Sequence, residues 1–175
     1  MKEATLNDIM HFTLGKNPTR LKESDVNLYT PKDFDQDLLD RDSKDSREVC
    51  IINLIRSKAA PMSDANREKI LTSNFLRCEL DASLIDGWYF CYQFNDGNAL
   101  SQQIAMVNQG TTLSVKKLNL KTIGDLKIKL PEMEKQRWIG NIYRQFLLQA
   151  DLLQKQVESM KQLTITVLRK IDEDN

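Results

Sequence analysis

The pattern of apolar and polar positions changes character near residue 131. Before it, apolar residues come in short runs broken by Asn, Asp, Gly and Ser. After it they recur with a helical period, and Gly140 is the one helix-weakening residue before the end of the sequence. Pro131 suits the first turn of a helix, where its missing N–H costs nothing, and Glu132 and Glu134 suit the positive end of the helix dipole. Arg169 and Lys170 stand where a C-terminal turn favours cations. With Tyr143 as a heptad a position, the a set is Tyr143, Ala150, Val157, Thr164 and Ile171, and the d set is Ile139, Phe146, Leu153, Met160 and Val167. All but Thr164 are apolar or aromatic, which predicts a helix-pairing seam over 131–175. Ile142, Leu147, Leu163 and Leu168 at e and g widen the stripe, so part of the helix is expected to pack on its own domain or on a third surface.

Residues 1–130 carry mixed signals. Thr5–Phe12, apolar at Leu6, Ile9, Met10 and Phe12, reads as a short helix or strand that enters a loop at Gly15. Val49–Ile55 (VCIINLI) predicts a buried strand, and Ile70–Leu80 a strand region bent around Ser73 and Asn74. Asp81–Gln93 predicts a helix capped by Asp81 or Ser83, with some of Trp88, Tyr89 and Phe90 facing the core. Gly110, Thr111 and Thr112 mark a turn, after which Leu118–Leu130 predicts a strand with Leu126, Ile128 and Leu130 inward. No repeat is visible, and helices and strands interleave irregularly. The expected fold class is α+β: a mixed globular domain over 1–130 followed by a long coiled-coil-type helix over 131–175.

Composition narrows the class. With 175 residues, 41% hydrophobic and 29% charged, the chain suits one globular domain and an extended element. No apolar run approaches the roughly 20 residues that span a bilayer, and the opening MKEATLNDIMHF lacks a signal-peptide block, so a cytoplasmic protein is expected. Cys50, Cys78 and Cys91 are odd in number and widely spaced, which suits buried thiols better than disulfides or zinc.

The formal net charge is zero, which argues against a generic polyanion binder, but the charges are segregated. Asp33–Glu48 holds seven acids against Arg41, Lys44 and Arg47, whereas Ser101–Leu130 holds five lysines against Asp125. Lys16, Arg20 and Lys22 lie in a loop-like stretch with no acid between Asp8 and Glu23. A lysine cluster by itself is most simply a solvated face.

Catalytic signatures are missing. The single histidine, His11, has no visible partner for proton transfer, and there is no nucleophile elbow, Walker loop, H-E-x-x-H helix or dinucleotide-binding glycine pattern. Asn17-Pro18-Thr19-Arg20 lacks the second proline and the base-stacking aromatic of an amino-methyltransferase motif. An autonomous enzyme, a bound metal and a cofactor are therefore not expected.

One ordered set of segments goes beyond composition. Asp81-Ala-Ser-Leu-Ile-Asp-Gly-Trp-Tyr-Phe-Cys-Tyr-Gln-Phe-Asn95 is followed by Gly110-Thr-Thr, by Val115-Lys-Lys-Leu-Asn-Leu-Lys-Thr-Ile123, and by Leu126-Lys-Ile-Lys-Leu-Pro-Glu-Met-Glu-Lys-Gln-Arg-Trp-Ile139. This order resembles the specificity subunits of type I restriction-modification systems. In that family a helix similar to "pYLyyyLN" precedes a "G-x-T" turn and a segment similar to "lk.l.I.lP.leeQ..I" that opens a long spacer helix. Leu6-Asn-Asp-Ile9 and Gly15-Lys-Asn-Pro-Thr-Arg20 resemble the family's opening. The most specific part is Ile128–Ile139. The strand similar to "GDilis" is here Arg47-Glu-Val-Cys-Ile-Ile52, without the Gly-Asp, and Trp88 stands where many members have a smaller residue.

The resemblance implies a non-catalytic, DNA-binding target-recognition domain. A full specificity subunit has two such domains and two long helices; with one of each, this chain is expected to act as a homodimer on a palindromic bipartite site. The implied partners are double-stranded DNA, modification (methyltransferase) subunits and, in a complete system, a restriction subunit. The expected DNA contacts are Lys16, Arg20, Lys22, Ser73, Asn74, Lys116, Lys117 and Lys121, with Arg20 and Asn74 reading bases and the lysines neutralising phosphates. The expected dimer seam is Ile139, Tyr143, Phe146, Ala150, Leu153, Val157, Met160, Val167 and Ile171. A homodimeric protein-interaction scaffold of the same fold, without DNA binding, is the alternative that net neutrality favours.

Overall fold

The structure is a computed structural model and describes residues 2–17, 27–39, 48–109 (the backbone alone for 107–109) and 120–173. The chain opens with strand β1 (Lys2–Thr5), a single helical turn α1 (Leu6–Ile9) and strand β2 (Met10–Leu14). The stretch 5–12 that suited either helix or strand is thus both in succession. Asp8 holds the entry to the turn by accepting from Thr5 N (3.0 Å) and Thr5 Oγ1 (2.6 Å), and Leu6 and Ile9 point into the core.

Helix α2 (Pro31–Leu38) follows, with Thr30 as N-cap and Pro31 at its first turn. Strands β3 (Val49–Asn53), β4 (Lys58–Pro61) and β5 (Phe75–Leu80) complete a four-stranded antiparallel sheet in the order β2-β5-β3-β4. All five residues of β3 are buried because both faces of this central strand are covered. Cys50 and Ile52 face a large core shared with the helices downstream, whereas Val49 and Ile51 face a smaller one with Tyr29, Phe34, Met62 and Phe75. The strand expected over 49–55 ends earlier than the apolar run suggested, since Leu54 and Ile55 enter a turn. The bend at Ser73 and Asn74 is a turn that precedes β5.

Two expectations are corrected. The helix expected from Asp81 begins only at Gly87: helix α3 (Gly87–Asn95) is capped by Asp86, whose Oδ1 accepts the N–H groups of Trp88 and Tyr89 at 3.1 Å each. Asp81 instead accepts from Ser83 N and Oγ in a separate turn. The strand expected over 118–130 is mostly something else: residues Leu120–Gly124 form the short helix α5, and strand β6 spans only Lys127–Leu130. The Gly110–Thr112 turn, with Leu118 and Asn119, lies outside the described residues. Before α5 runs helix α4 (Asn98–Gln109). Strand β6 pairs antiparallel with β1, with Lys2 opposite Leu130, so the chain's two ends of the globular part meet where the last helix starts.

That helix, α6 (Met133–Glu173), is 41 residues long, or about 60 Å at 1.5 Å per residue. It starts two residues beyond Pro131, and its first turns lie across α3. Gln136, Gly140 and Tyr143 are buried there, spaced by four and three residues on one helix face. Gly140 marks the closest approach. A Cβ at this position would stand 2.8 Å from Trp88 Cβ and 2.9 Å from Tyr89 N, so the helices meet this closely because the side chain is absent. Every residue from 152 to 173 is exposed. The fold is mixed α and β with a long C-terminal helix. No helix among the described residues is long and apolar enough to cross a membrane.

Candidate nucleic-acid interface

Lys16 leaves the end of β2 on extended backbone that bridges to Thr72, and its N–H donates to Leu71 O at 2.8 Å. Ser73 N returns a bond to Lys16 O at 2.8 Å, and Asn74 O accepts from Leu54 N at 2.9 Å. Three segments distant in sequence are thereby stitched into one rim: the end of β2, the turn before β5, and the turn between β3 and β4. Of the expected contact residues, the structure brings together Lys16, Ser73 and Asn74 on this rim. A groove of about 300 Å³ runs beside it, lined in part by Asn74, Thr72, Asn53, Ile55 and Arg56.

Lys121 is elsewhere. It is exposed on α5, which packs against α1 at the start of β2, whereas Lys16 follows the strand's end. The five-residue strand β2, about 15 Å long at roughly 3.4 Å per residue, lies between the α1–α5 contact and Lys16. Arg20, Lys22, Lys116 and Lys117 lie outside the described residues.

Arg56 was not among the residues expected from sequence. Its Nη1 donates to Asp35 Oδ1 of α2 at 2.5 Å, and both side chains are about half exposed. A sequence signal was present: Asn53 interrupts the expected strand Val49–Ile55, Arg56 and Ser57 follow directly after it, and Ser57 adopts a positive φ of 52°. The acids of α2 are engaged one by one. Asp33 is buried, which alone would raise its pKa, but hydrogen bonds from Lys69 (2.7 Å) and Thr30 outweigh burial and hold the carboxyl below the usual range. Asp37 accepts from Tyr29 Oη (2.6 Å), Asn66 Nδ2 (2.7 Å) and Ser63 N (3.2 Å), yet burial keeps its pKa raised.

The expected seam divides into two parts. Ile139 and Tyr143 pack into the globular core; Tyr143 Oη donates to Asp96 Oδ2 at 2.6 Å and accepts from Asn95 Nδ2 at 3.2 Å. Phe146, Ala150, Leu153, Val157, Met160, Val167 and Ile171 are exposed, and the larger ones expose between 46% and 62% of their surface. Gln136 anchors the helix base. Its Oε1 accepts from Asp86 N (3.0 Å), and its Nε2 donates to Leu84 O (3.0 Å) and Pro131 O (2.9 Å). One amide thus ties the start of α6 to the residues that cap α3.

This arrangement, a mixed α and β domain with one long helix docked at its base and exposed beyond it, has solved counterparts. The HsdS subunit of Thermoanaerobacter tengcongensis is 13% identical and matches over 93% of this chain and 39% of its own, with a TM-score of 0.50. A chain from a structure describing complex assembly and conformational transition of a type I R-M system is 14% identical. It matches over 93% of this chain and 42% of its own, with a TM-score of 0.58. The fold is that of one part of a type I S subunit. The chain spans about two fifths of the length of these S-subunit structures. The mixed domain and the long helix both fall within the part of the S-subunit fold that is matched. No protein-family model matches the chain, and no curated protein matches it by sequence.

Proposed function

We propose that this chain is a sequence-specific DNA-recognition component of a type I restriction-modification system, acting as a homodimer that positions modification and restriction subunits on a bipartite site. The observation that carries the reading is the exposed apolar stripe on α6 in a chain with the S-subunit fold. A stripe from Phe146 to Ile171, left in water over seven turns of helix, is a surface that needs a partner. A second copy supplies an identical stripe, and its globular part supplies a second reading head at a distance set by helix length.

In this reading Lys16, Ser73 and Asn74 meet DNA through the rim, together with Arg20 and Lys22 of the first loop. Asn74 and Arg20 read base edges. Lys116, Lys117 and Lys121 hold phosphates. The protein performs no chemistry itself; it determines where its partners act. The domain boundary falls near 130 and 131, and the protein works in the cytoplasm with the DNA.

A mobility-shift assay with duplexes of random sequence at low salt tests this directly, with and without modification subunits. Binding that weakens steeply as salt rises is expected, because phosphate contacts release counterions. No binding in either condition would overturn the recognition role and favour the scaffold alternative, to which net neutrality gives its support.

A further inference from the structure

The turn between β3 and β4 departs from the usual polarity of a hairpin tip. Ile55 is 64% exposed, and next to it the Arg56 side chain is 45% exposed. The turn is nevertheless firmly built. Asn53 Oδ1 accepts from both Ile55 N (3.1 Å) and Arg56 N (3.0 Å), closing the tip with a side chain from the strand below. The Leu54 N to Asn74 O bond then fixes the tip against the turn that carries Ser73 and Asn74. Arg56 and Asn74 line the same groove. The Arg56 guanidinium takes no part in the bonds that close the tip, and pairs instead with the half-exposed Asp35.

We propose that this tip is a base-reading finger, in which Arg56 directs its guanidinium fork at a guanine edge beside the base read by Asn74. The inference rests on the DNA-recognition role proposed above and adds a specificity residue to it. Two features fit the guanidinium to guanine, and the Asp35 carboxylate favours a base over a phosphate. The planar fork matches the paired acceptors O6 and N7 of guanine, and an arginine there is the commonest specific contact in the major groove. The adjacent Asp35 carboxylate repels a phosphate but not the neutral acceptors of a base. An exposed Arg–Asp pair is also weak enough to yield its guanidinium to a bidentate acceptor. Ile55 adds apolar surface of the kind that rests against a thymine methyl group.

The test is selection of bound sequences from a randomised duplex pool, with modification subunits present, by the protein, its Arg56→Lys variant and its Arg56→Ala variant. The wild type is expected to enrich a guanine whose preference both variants lose by about five- to 150-fold, the range for one bidentate contact, with other positions kept. Arg56→Lys keeps the charge and should keep the salt dependence of binding to unselected duplex, while losing the fork. If Arg56→Ala fails to fold, the lysine variant decides. A preference unchanged at every position in Arg56→Lys overturns the inference, as does affinity lost evenly over all sequences, which would make Arg56 a phosphate contact. A wild type that enriches no sequence at all contradicts the DNA role itself, and the finger with it.

Discussion

Buried polar side chains do much of the joining in this molecule, and Asn95 shows how. Its Oδ1 accepts from Ala59 N (2.6 Å) and its Nδ2 donates to Ala59 O (2.8 Å), so one amide takes the place of a strand neighbour for the outer edge of β4. Asn95→Ala leaves both backbone groups buried and unpaired, and should lower the unfolding free energy by about 3 kcal/mol in denaturant titrations. Asp37 makes a different prediction. Burial raises its carboxyl, and hydrogen bonds from Ser63, Tyr29 and Asn66 reduce that rise without cancelling it. The native state then holds this proton more tightly than the unfolded chain. Its contribution is complete below the ordinary aspartate value of about 4 and is lost as pH rises through the native value. Measured against Asp37→Asn, the wild type should lose stability as pH climbs from about 4; a difference that grows with pH would contradict this. Neither role was legible in the sequence. Asn95 was visible as the end of a family-like segment, but its partner Ala59 lies in Lys-Ala-Ala-Pro, which has no strand periodicity of its own. Asp37 sits in an acid-rich helix whose Phe34 and Leu38 are too few to announce it.

Among the elements, α6 was the most legible because a heptad repeat sustained from Ile139 to Ile171 has few alternatives. Periodicity could not tell which turns face the chain's own domain, since Ile139 and Tyr143 fit the same register as Leu153 and Met160. The docked turns are identified by Gly140, which no heptad rule singles out. Gly140→Ala must push α6 away from Trp88 and Tyr89, and a loss of about 1–3 kcal/mol is expected in thermal or denaturant unfolding. The free turns predict the opposite pattern. Leu153→Asp combined with Met160→Asp should leave the unfolding of the globular part unchanged while halving the mass in solution measured by light scattering. An unchanged mass would exclude the seam. The start of α3 was misplaced by six residues because Asp81, Ser83 and Asp86 are all competent caps, and only tertiary contact chooses Asp86, whose N–H meets Gln136. Helix α4 and β4 escaped notice for a related reason: of the described side chains of α4 only Leu100 and Ile104 are buried, and β4 offers just Ala-Ala-Pro, whose burial comes from neighbours.

For the molecule as a whole, the order of short segments ending in Ile128–Ile139 already pointed to the S-subunit fold, and the structure bears that out over 93% of the chain. The grouping of the proposed DNA-contact residues was far less legible. Lys16 and Ser73 become neighbours through backbone bonds between segments more than fifty residues apart, and Lys121, from the separate lysine group of 101–130, sits at the other end of β2. In the proposed dimer two-fold symmetry would relate the two globular parts, so the DNA site they are proposed to read would be two-fold as well. The measurement that tests this most directly is sequence selection from a randomised duplex pool by the purified protein together with modification subunits. Two inverted copies of one half-site at a fixed spacing are the predicted result; enrichment of a single unsymmetric site, or of none, would contradict the account.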